Sequence, residues 1–163
     1  MQVKVIKFGG SSLADAEHFR KVAEIIHEDP ARRYVVPSAP GKRTKDDTKV
    51  TDMLYACFEK AMRGEEFDAD FDRIIERYEA IIKDLGLSLD LTKEYDRIKG
   101  AFMHQPGRDY AASRGEYLNG IILANYLGFD FIDAATVIYF QDNGTFDADR
   151  THVTLSAILR NHK

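Results

Sequence analysis

Apolar positions follow two different spacings along this chain, and the change between them predicts its elements. Residues 3–8, VKVIKF, and residues 34–36, YVV, are short and almost continuously apolar, as in strands that are buried on both faces. Elsewhere apolar residues recur every three or four positions, which is the spacing of one helix face. This pattern predicts helices over residues 13–28, 51–64, 71–85, 91–102, 109–127 and 147–161. Ser12 and Asp15 are expected to cap the first helix as a pair.

The order of these elements predicts an α/β fold with a mostly parallel sheet flanked by helices. A further strand is expected at residues 129–134, FDFIDA, and a reverse turn at residues 142–144, DNG. The amphipathic helices at about residues 51–103 must cover one another, so we interpret them as a helical insertion between strands. The polar run at residues 42–49, KRTKDDTK, is typical of a mobile, solvated loop.

Composition narrows the class of protein. The chain has 163 residues, of which 44% are hydrophobic, and this size suits one globular domain. Its net charge of −4 comes from interspersed acids and bases and gives no reason to expect binding to nucleic acid or to a membrane. No stretch approaches the roughly 20 apolar residues of a membrane span, no signal-peptide pattern is present, and Cys57 is the single cysteine. We therefore expect a cytoplasmic protein.

The first predicted strand ends in a pattern that suits phosphate groups. Lys7 stands at the C-terminal end of the strand, and Gly9 and Gly10 follow, where the lack of side chains permits close approach. Ser11 and Ser12 then lead into the first helix. A strand, a glycine turn and a helix start together form a phosphate-binding cradle. The alternative interpretation is an ordinary turn with Lys7 in solvent.

Two further segments supply polar side chains. The second strand runs into residues 37–41, PSAPG, and its end is the place where ligands bind in open parallel sheets, which draws attention to Ser38. Residues 113–116, SRGE, are expected in the first turns of a helix and include Glu116. Each has a simpler interpretation. Ser38 can be a turn former, and Glu116 can be a surface residue whose negative charge stabilises the helix by interacting with its dipole. The five histidines show no metal-ligand spacing, so no protein metal site is predicted.

Three motifs occur together in the order found in the aspartate kinases of the amino-acid kinase family, which the chain resembles. They are KFGGSS at residues 7–12, VVPSAPG at residues 35–41 followed by TDML at residues 51–54, and SRGEYLN at residues 113–119. The resemblance implies phosphoryl transfer from MgATP to the β-carboxylate of L-aspartate, which gives 4-phospho-L-aspartate. This reaction opens lysine, threonine and methionine synthesis. The resemblance also implies an allosteric enzyme that forms a homo-oligomer.

The resemblance assigns a role to each matched residue. Lys7 is implied to contact the ATP phosphates and to stabilise the transferring phosphoryl group. The other implied phosphate-binding residues are Gly9, Gly10, Ser11 and Ser12. Ser38 and Thr51 are implied to lie near the bound aspartate, and Glu116 to pair with its α-ammonium group. Phosphoryl transfer depends mainly on positioning and charge neutralisation, which suits a lysine beside glycine amides.

The resemblance also implies that much of such an enzyme lies outside this sequence. Residues 1–163 match the N-terminal, amino-acid-binding part of the catalytic domain, whereas the nucleotide-binding half and regulatory ACT domains would follow it. We therefore expect the 163-residue chain to be inactive alone. Kinases of glutamate, acetylglutamate, carbamate or uridylate are disfavoured by the helical insertion and the SRGE motif. A non-catalytic binding or scaffold module with the same fold remains as the alternative.

Overall fold

A computed structural model describes residues 3–104 and 106–162. Two strands and six helices lie in these ranges: β1 Lys4–Phe8, α1 Ala16–His27, β2 Arg32–Pro37, α2 Val50–Met62, α3 Asp68–Asp84, α4 Thr92–Met103, α5 Arg108–Leu127 and α6 Ala148–Asn161. Each helix overlaps its predicted range. None of the helices in these ranges is both long and apolar enough to cross a membrane. The chain divides into two compact units, Met1–Gly128 and Phe129–Lys163.

The two strands pair in parallel, with Lys7 beside Val36 and Phe8 beside Pro37. The amide of Ser38 then donates to the carbonyl oxygen of Phe8 (3.0 Å), which continues the pairing past the end of β2. Parallel pairing agrees with the predicted α/β class. Because both strands run in the same direction, their carboxyl ends share one edge, and the segments that follow them become neighbours.

The strands are not buried on both faces, so that prediction was wrong. Ile6, Phe8 and Val35 pack against the hydrophobic core. Val5 is 69% exposed and Val36 is 50% exposed, because successive side chains point to opposite faces of a strand. A continuous apolar run does not by itself reveal whether both faces are covered. Here the core covers the face that carries Ile6 and Phe8.

Helices α2, α3, α4 and α5 form most of the hydrophobic core, and α2 contacts the other three. Phe102 of α4 lies among four other aromatic rings, whose centroids are 5.8 to 6.4 Å from its own. These rings belong to Phe58, Phe67, Phe71 and Tyr110. The expectation that these helices cover one another is confirmed. Contacts between α5 and β2 then fix the position of α5 beside the sheet.

Helix α1 begins later than predicted. Its cap is Asp15, whose side chain accepts a hydrogen bond from the amide of His18 (3.0 Å). A short 3-10 helix at Gly10–Leu13 precedes it. The predicted capping pair of Ser12 and Asp15 was therefore wrong. Ser12 lies inside the 3-10 turn, where its amide donates to the carbonyl oxygen of Gly9 (3.0 Å).

The second unit lacks the strand predicted at residues 129–134. A strand needs a partner for its backbone groups, and the ladder seen in the described residues consists of β1 and β2. A 3-10 helix forms instead at Ala134–Thr136. The reverse turn is confirmed, since an isolated antiparallel bridge joins Phe140 to Phe146 around Gly144, which has a φ of 81°.

Candidate functional site

The carboxyl edge of the two strands brings Lys7 and Ser38 together. Lys7 lies on the exposed face of β1, and its Nζ is within hydrogen-bond reach of the Ser38 hydroxyl oxygen, at 3.4 Å. In the part of the chain that the structure describes, no carboxylate forms an ion pair with Lys7. Its positive charge is thus available to an anionic ligand at this edge.

Two glycines join the segments that follow the strands. The amide of Gly41 donates to the carbonyl oxygen of Gly10 (2.8 Å). A Cβ on Gly10 would lie 2.8 Å from the oxygen of Ala39, and one on Gly41 would lie 2.6 Å from the carbonyl carbon of Gly10. Both positions therefore require glycine for this close approach. We call this contact between Gly10 and Gly41 the glycine seam.

Gly9 differs from the glycines of the seam. A Cβ on Gly9 would meet nothing within 4 Å, and its φ of −75° and ψ of 169° suit any residue. Neither packing nor backbone conformation requires glycine at this position. The space beside Gly9 is open, so a ligand can approach the backbone there.

Helix α5 brings Glu116 to the segment after β2. Its Oε1 accepts a hydrogen bond from the amide of Ala39 (3.3 Å). Gly115 permits this approach, because a Cβ on Gly115 would lie 2.6 Å from the Cβ of Ala39. Glu116 is the ninth residue of α5, which begins at Arg108, one residue before the predicted start, so Glu116 lies beyond the first turn. Since the helix dipole acts mainly within the first turn, the dipole interpretation loses support.

Three predicted site residues lie near this edge, but their side chains make no hydrogen bonds within the described residues. The amide of Val50 donates to the carbonyl oxygen of Pro40 (3.2 Å), so α2 begins beside the segment after β2, and Thr51 is half-buried in its first turn. Ser11 is exposed and Ser12 is half-buried in the 3-10 turn. Among the described residues the side chains of these three have no hydrogen-bond partner. Their roles remain predictions.

Sequence reasoning missed Asn119, which is fully buried on α5. Its Nδ2 donates to the carbonyl oxygen of Ser38 (2.7 Å), and its Oδ1 has no partner in the described residues. Asn119 follows Glu116 by three positions and therefore shares its helix face. It fixes the backbone of Ser38, whose hydroxyl reaches Lys7. The available signal was an amide side chain within an apolar helical stretch, since buried polar groups need partners.

The polar loop at residues 42–49 is anchored by one carboxylate. Most of the loop is solvated, as predicted, but the Asp47 side chain is only 14% exposed. It accepts hydrogen bonds from Nε of Arg43 (2.7 Å) and the amide of Thr48 (3.0 Å), and lies 3.2 Å from Nη1 of Arg77. The hydrogen bond from Arg43, aided by backbone amides and the Arg77 charge, holds the pKa of Asp47 well below its usual range.

Asp47→Asn is expected to destabilise the protein at neutral pH but much less in acid. The lowered pKa means that the folded state binds fewer protons than the unfolded state, where the pKa is about 3.9. The ion contacts therefore stabilise the fold above that value and are lost as the pH falls through the folded-state pKa. We expect a loss of roughly 1.5 kcal/mol at pH 7, the low end for hydrogen bonds to charged groups. Thermal unfolding from pH 7 to pH 2 measures it, and the loss should shrink as the pH falls below about 4.

The adjacent Asp46 provides the control for this experiment. It is exposed and has no hydrogen-bond or ion-pair partner among the described residues, so Asp46→Asn should match the unsubstituted protein at every pH. An Asp47→Asn variant whose melting temperature differs from the unsubstituted protein by the same amount at pH 7 and pH 2 would rule out the anchoring role.

Two side chains of opposite charge contact adjacent residues of the segment that follows β2. The Lys7 ammonium reaches the side chain of Ser38, and the Glu116 carboxylate accepts from the backbone of Ala39. A small ligand with both an anionic and a cationic group can bind both, and phosphate can approach the open backbone at Gly9. In the described ranges no group of three or more His, Cys, Asp and Glu side chains could hold a metal ion.

The chain is similar to known proteins over its whole length. The profile of the Amino acid kinase family matches residues 2–161. Aspartokinase 3 of Bacillus subtilis is 44% identical over 92 residues, which are 56% of this chain and 20% of that protein. The aspartokinase of Chlamydia trachomatis is 30% identical over 130 residues, which are 75% of this chain and 27% of that protein.

A solved structure supports the same assignment. The crystal structure of Clostridium acetobutylicum aspartate kinase matches with a TM-score of 0.95 and 44% identity, over 99% of this chain and 37% of that chain. The predicted α/β fold is confirmed by this match. The present chain thus spans about a fifth to two fifths of these relatives. Since the family profile covers nearly every residue and the fold agrees, the chain belongs to the amino acid kinase family.

Proposed function

We propose that the chain is the amino-acid-binding part of an aspartate kinase. The observation that carries this proposal is the pair of charges at the strand edge. Lys7 lies at Ser38 with no ion-pair partner among the described residues, and Glu116 lies at Ala39. Glu116 can pair with the ammonium group of L-aspartate, and Lys7 can neutralise charge where the β-carboxylate meets the phosphoryl group. Similarity to aspartokinases, at 44% identity to the Bacillus subtilis protein, supports this substrate.

The proposed reaction is an in-line transfer. A β-carboxylate oxygen of aspartate attacks the γ-phosphorus of ATP, the bond to the bridging oxygen breaks, and ADP leaves with the negative charge. The Lys7 ammonium neutralises charge on the transferring group, and this contribution is larger in the transition state than in the ground state. The open space at Gly9 allows the phosphates to approach the backbone, next to the hydroxyls of Ser11 and Ser12, while Gly10 holds this turn against Gly41.

Aspartate is held on the opposite side of the same segment. The Glu116 carboxylate pairs with the α-ammonium group, while Ser38 and Thr51 offer hydroxyls to the carboxylates. Asn119 keeps the Ser38 backbone in place. Mg²⁺ would enter with the nucleotide, since it prefers phosphate and water oxygens, and it would neutralise phosphate charge.

An acceptor panel tests this proposal in the complete protein that contains residues 1–163. ADP release from MgATP is measured with L-aspartate, L-glutamate, N-acetyl-L-glutamate, carbamate and UMP. We expect turnover with aspartate alone. Turnover with another acceptor and none with aspartate would refute the proposal, whereas binding of aspartate without turnover would favour the non-catalytic alternative.

Two glycine substitutions separate packing from ligand binding. Gly10→Ala should destabilise the fold by about 1–3 kcal/mol, because its Cβ would lie 2.8 Å from the oxygen of Ala39. Gly9→Ala should change stability by less than about 0.5 kcal/mol, yet raise the KM for ATP roughly three- to tenfold by occupying ligand space. Denaturant unfolding and steady-state kinetics measure both. Normal ATP kinetics in Gly9→Ala would argue against a nucleotide beside Gly9.

Several expectations from the sequence remain proposals. A place in lysine, threonine and methionine synthesis, allosteric regulation and homo-oligomer formation belong to the proposed aspartate kinase. A cytoplasmic location rests on the sequence pattern alone. We further expect the 163-residue chain to show no kinase activity by itself, because it spans 37% of the Clostridium acetobutylicum enzyme chain that it matches.

A further inference from the structure

A buried arginine contacts the segments that form the candidate site. Arg77, on helix α3, has a side chain that is only 5% exposed. Its Nη2 donates to the carbonyl oxygens of Gly41 (2.8 Å) and Ala14 (3.4 Å), and its Nη1 donates to that of Thr48 (3.1 Å). A buried guanidinium group is costly to desolvate unless its N–H groups are satisfied. Here three main-chain carbonyls and the Asp47 carboxylate satisfy them.

These carbonyls belong to the segments that build the site. Gly41 forms the glycine seam through its own amide, which donates to Gly10. Ala14 follows the 3-10 turn that begins at Gly10, and Thr48 lies in the loop that leads to α2. One side chain therefore binds both strand extensions and the loop that leads to α2.

We propose that Arg77 is a positioning residue, which holds the glycine seam so that the phosphate-binding turn and the aspartate-binding segment keep a fixed separation. Helix α3 would then contribute to catalysis, although none of the α3 side chains needs to touch a substrate. This inference rests on the proposed aspartate kinase function. When the seam loosens, each substrate keeps its own contacts. Loss of the Arg77 side chain should therefore disturb the distance between the reacting atoms more than it weakens the binding of either substrate.

Only arginine suits this position. Its planar fork presents several N–H groups in fixed directions, so two nitrogens can serve three carbonyls from separate segments. A lysine keeps the charge but offers one ammonium nitrogen and cannot reach all of them. Arg77→Lys therefore tests the geometry of the fork, and Arg77→Met tests the group as a whole.

The experiment uses the complete protein and measures kcat and both KM values at a temperature where each variant is folded. We expect Arg77→Met to lower kcat about tenfold, while the KM values for aspartate and ATP change less than about threefold. Arg77→Lys should lower kcat by an intermediate factor. Two controls accompany them: Arg73→Met, an exposed position on the same helix, and Ile98→Ala, a fully buried core position on α4.

Hydrogen exchange of the peptide that contains Gly41 gives a second readout without substrates. Faster exchange there in Arg77→Lys than in Ile98→Ala supports the proposal, because a general loss of stability would affect both variants. If Arg77→Met does not fold, kcat and hydrogen exchange of Arg77→Lys test the proposal instead. Normal kcat and normal exchange in Arg77→Lys would overturn the inference. If the unsubstituted protein does not phosphorylate aspartate, the proposed function fails, and exchange at Gly41 still decides whether Arg77 holds the seam.

Discussion

Lys7→Ala in the complete protein is expected to lower kcat by roughly 100- to 1,000-fold, the effect of removing one preorganised electrostatic donor. The KM for aspartate should change far less, because the charge acts mainly on the transferring phosphoryl group. The structural reason is the position of Nζ, which lies 3.4 Å from the Ser38 hydroxyl and has no ion-pair partner in the described residues. Steady-state kinetics with aspartate and MgATP measure the effect.

Lys4→Ala is the matched control for this experiment. Lys4 is an exposed lysine on the same strand, but its ammonium group pairs with Asp29 (2.6 Å) at the opposite end of β1 from the site. Its removal should leave kcat unchanged. If Lys7→Ala and Lys4→Ala both retain normal kcat, Lys7 is a solvent-facing residue and the proposed phosphate contact is wrong.

Glu116→Gln is expected to raise the KM for aspartate roughly 10- to 100-fold, as the loss of a hydrogen bond to a charged group would, while the KM for ATP stays nearly constant. Glutamine keeps an oxygen that can accept from the Ala39 amide, so the contact at 3.3 Å can persist. The substitution therefore removes the charge and little else. Both KM values and the melting temperature should be measured together.

Asp109→Asn tests the dipole interpretation directly. Asp109 lies in the first turn of α5, where a negative charge stabilises the helix by interacting with its dipole. We expect this substitution to cost about 0.3–1 kcal/mol of stability and to leave the aspartate KM unchanged. A Glu116→Gln variant that behaves like Asp109→Asn, with a lower melting temperature and an unchanged KM, would exclude Glu116 as the ammonium partner.

Helix positions could be predicted because their signals are local. The apolar spacing of α2 to α5 reflects one buried face per helix, and glycines with positive φ follow three of these helices, at Gly64, Gly86 and Gly128. The strand predicted at residues 129–134 is absent, because strand formation depends on contacts that are not local. A strand is completed by a partner, and no local pattern shows whether that partner is present.

The site was predictable in its motifs but not in its supporting contacts. The strand-end motifs placed Lys7 and Ser38 at the carboxyl ends of the two strands, and parallel strands share this edge, where the two side chains lie 3.4 Å apart. The contacts of Asn119 with Ser38 and of Arg77 with Gly41 join positions 81 and 36 residues apart. Such contacts depend on how helices pack against the sheet edge, so the sequence pattern carries no periodic signal for them.

The identity of the phosphorylated product most directly tests whether the complete protein is an aspartate kinase. The complete protein is incubated with MgATP, L-aspartate and hydroxylamine, which converts an acyl phosphate to a hydroxamate, and the product is identified by mass spectrometry and NMR. We expect the β-hydroxamate of aspartate, formed in an amount equal to that of ADP, and its near absence with Lys7→Ala. Release of ADP in step with an α-hydroxamate, or with no hydroxamate at all, would contradict it.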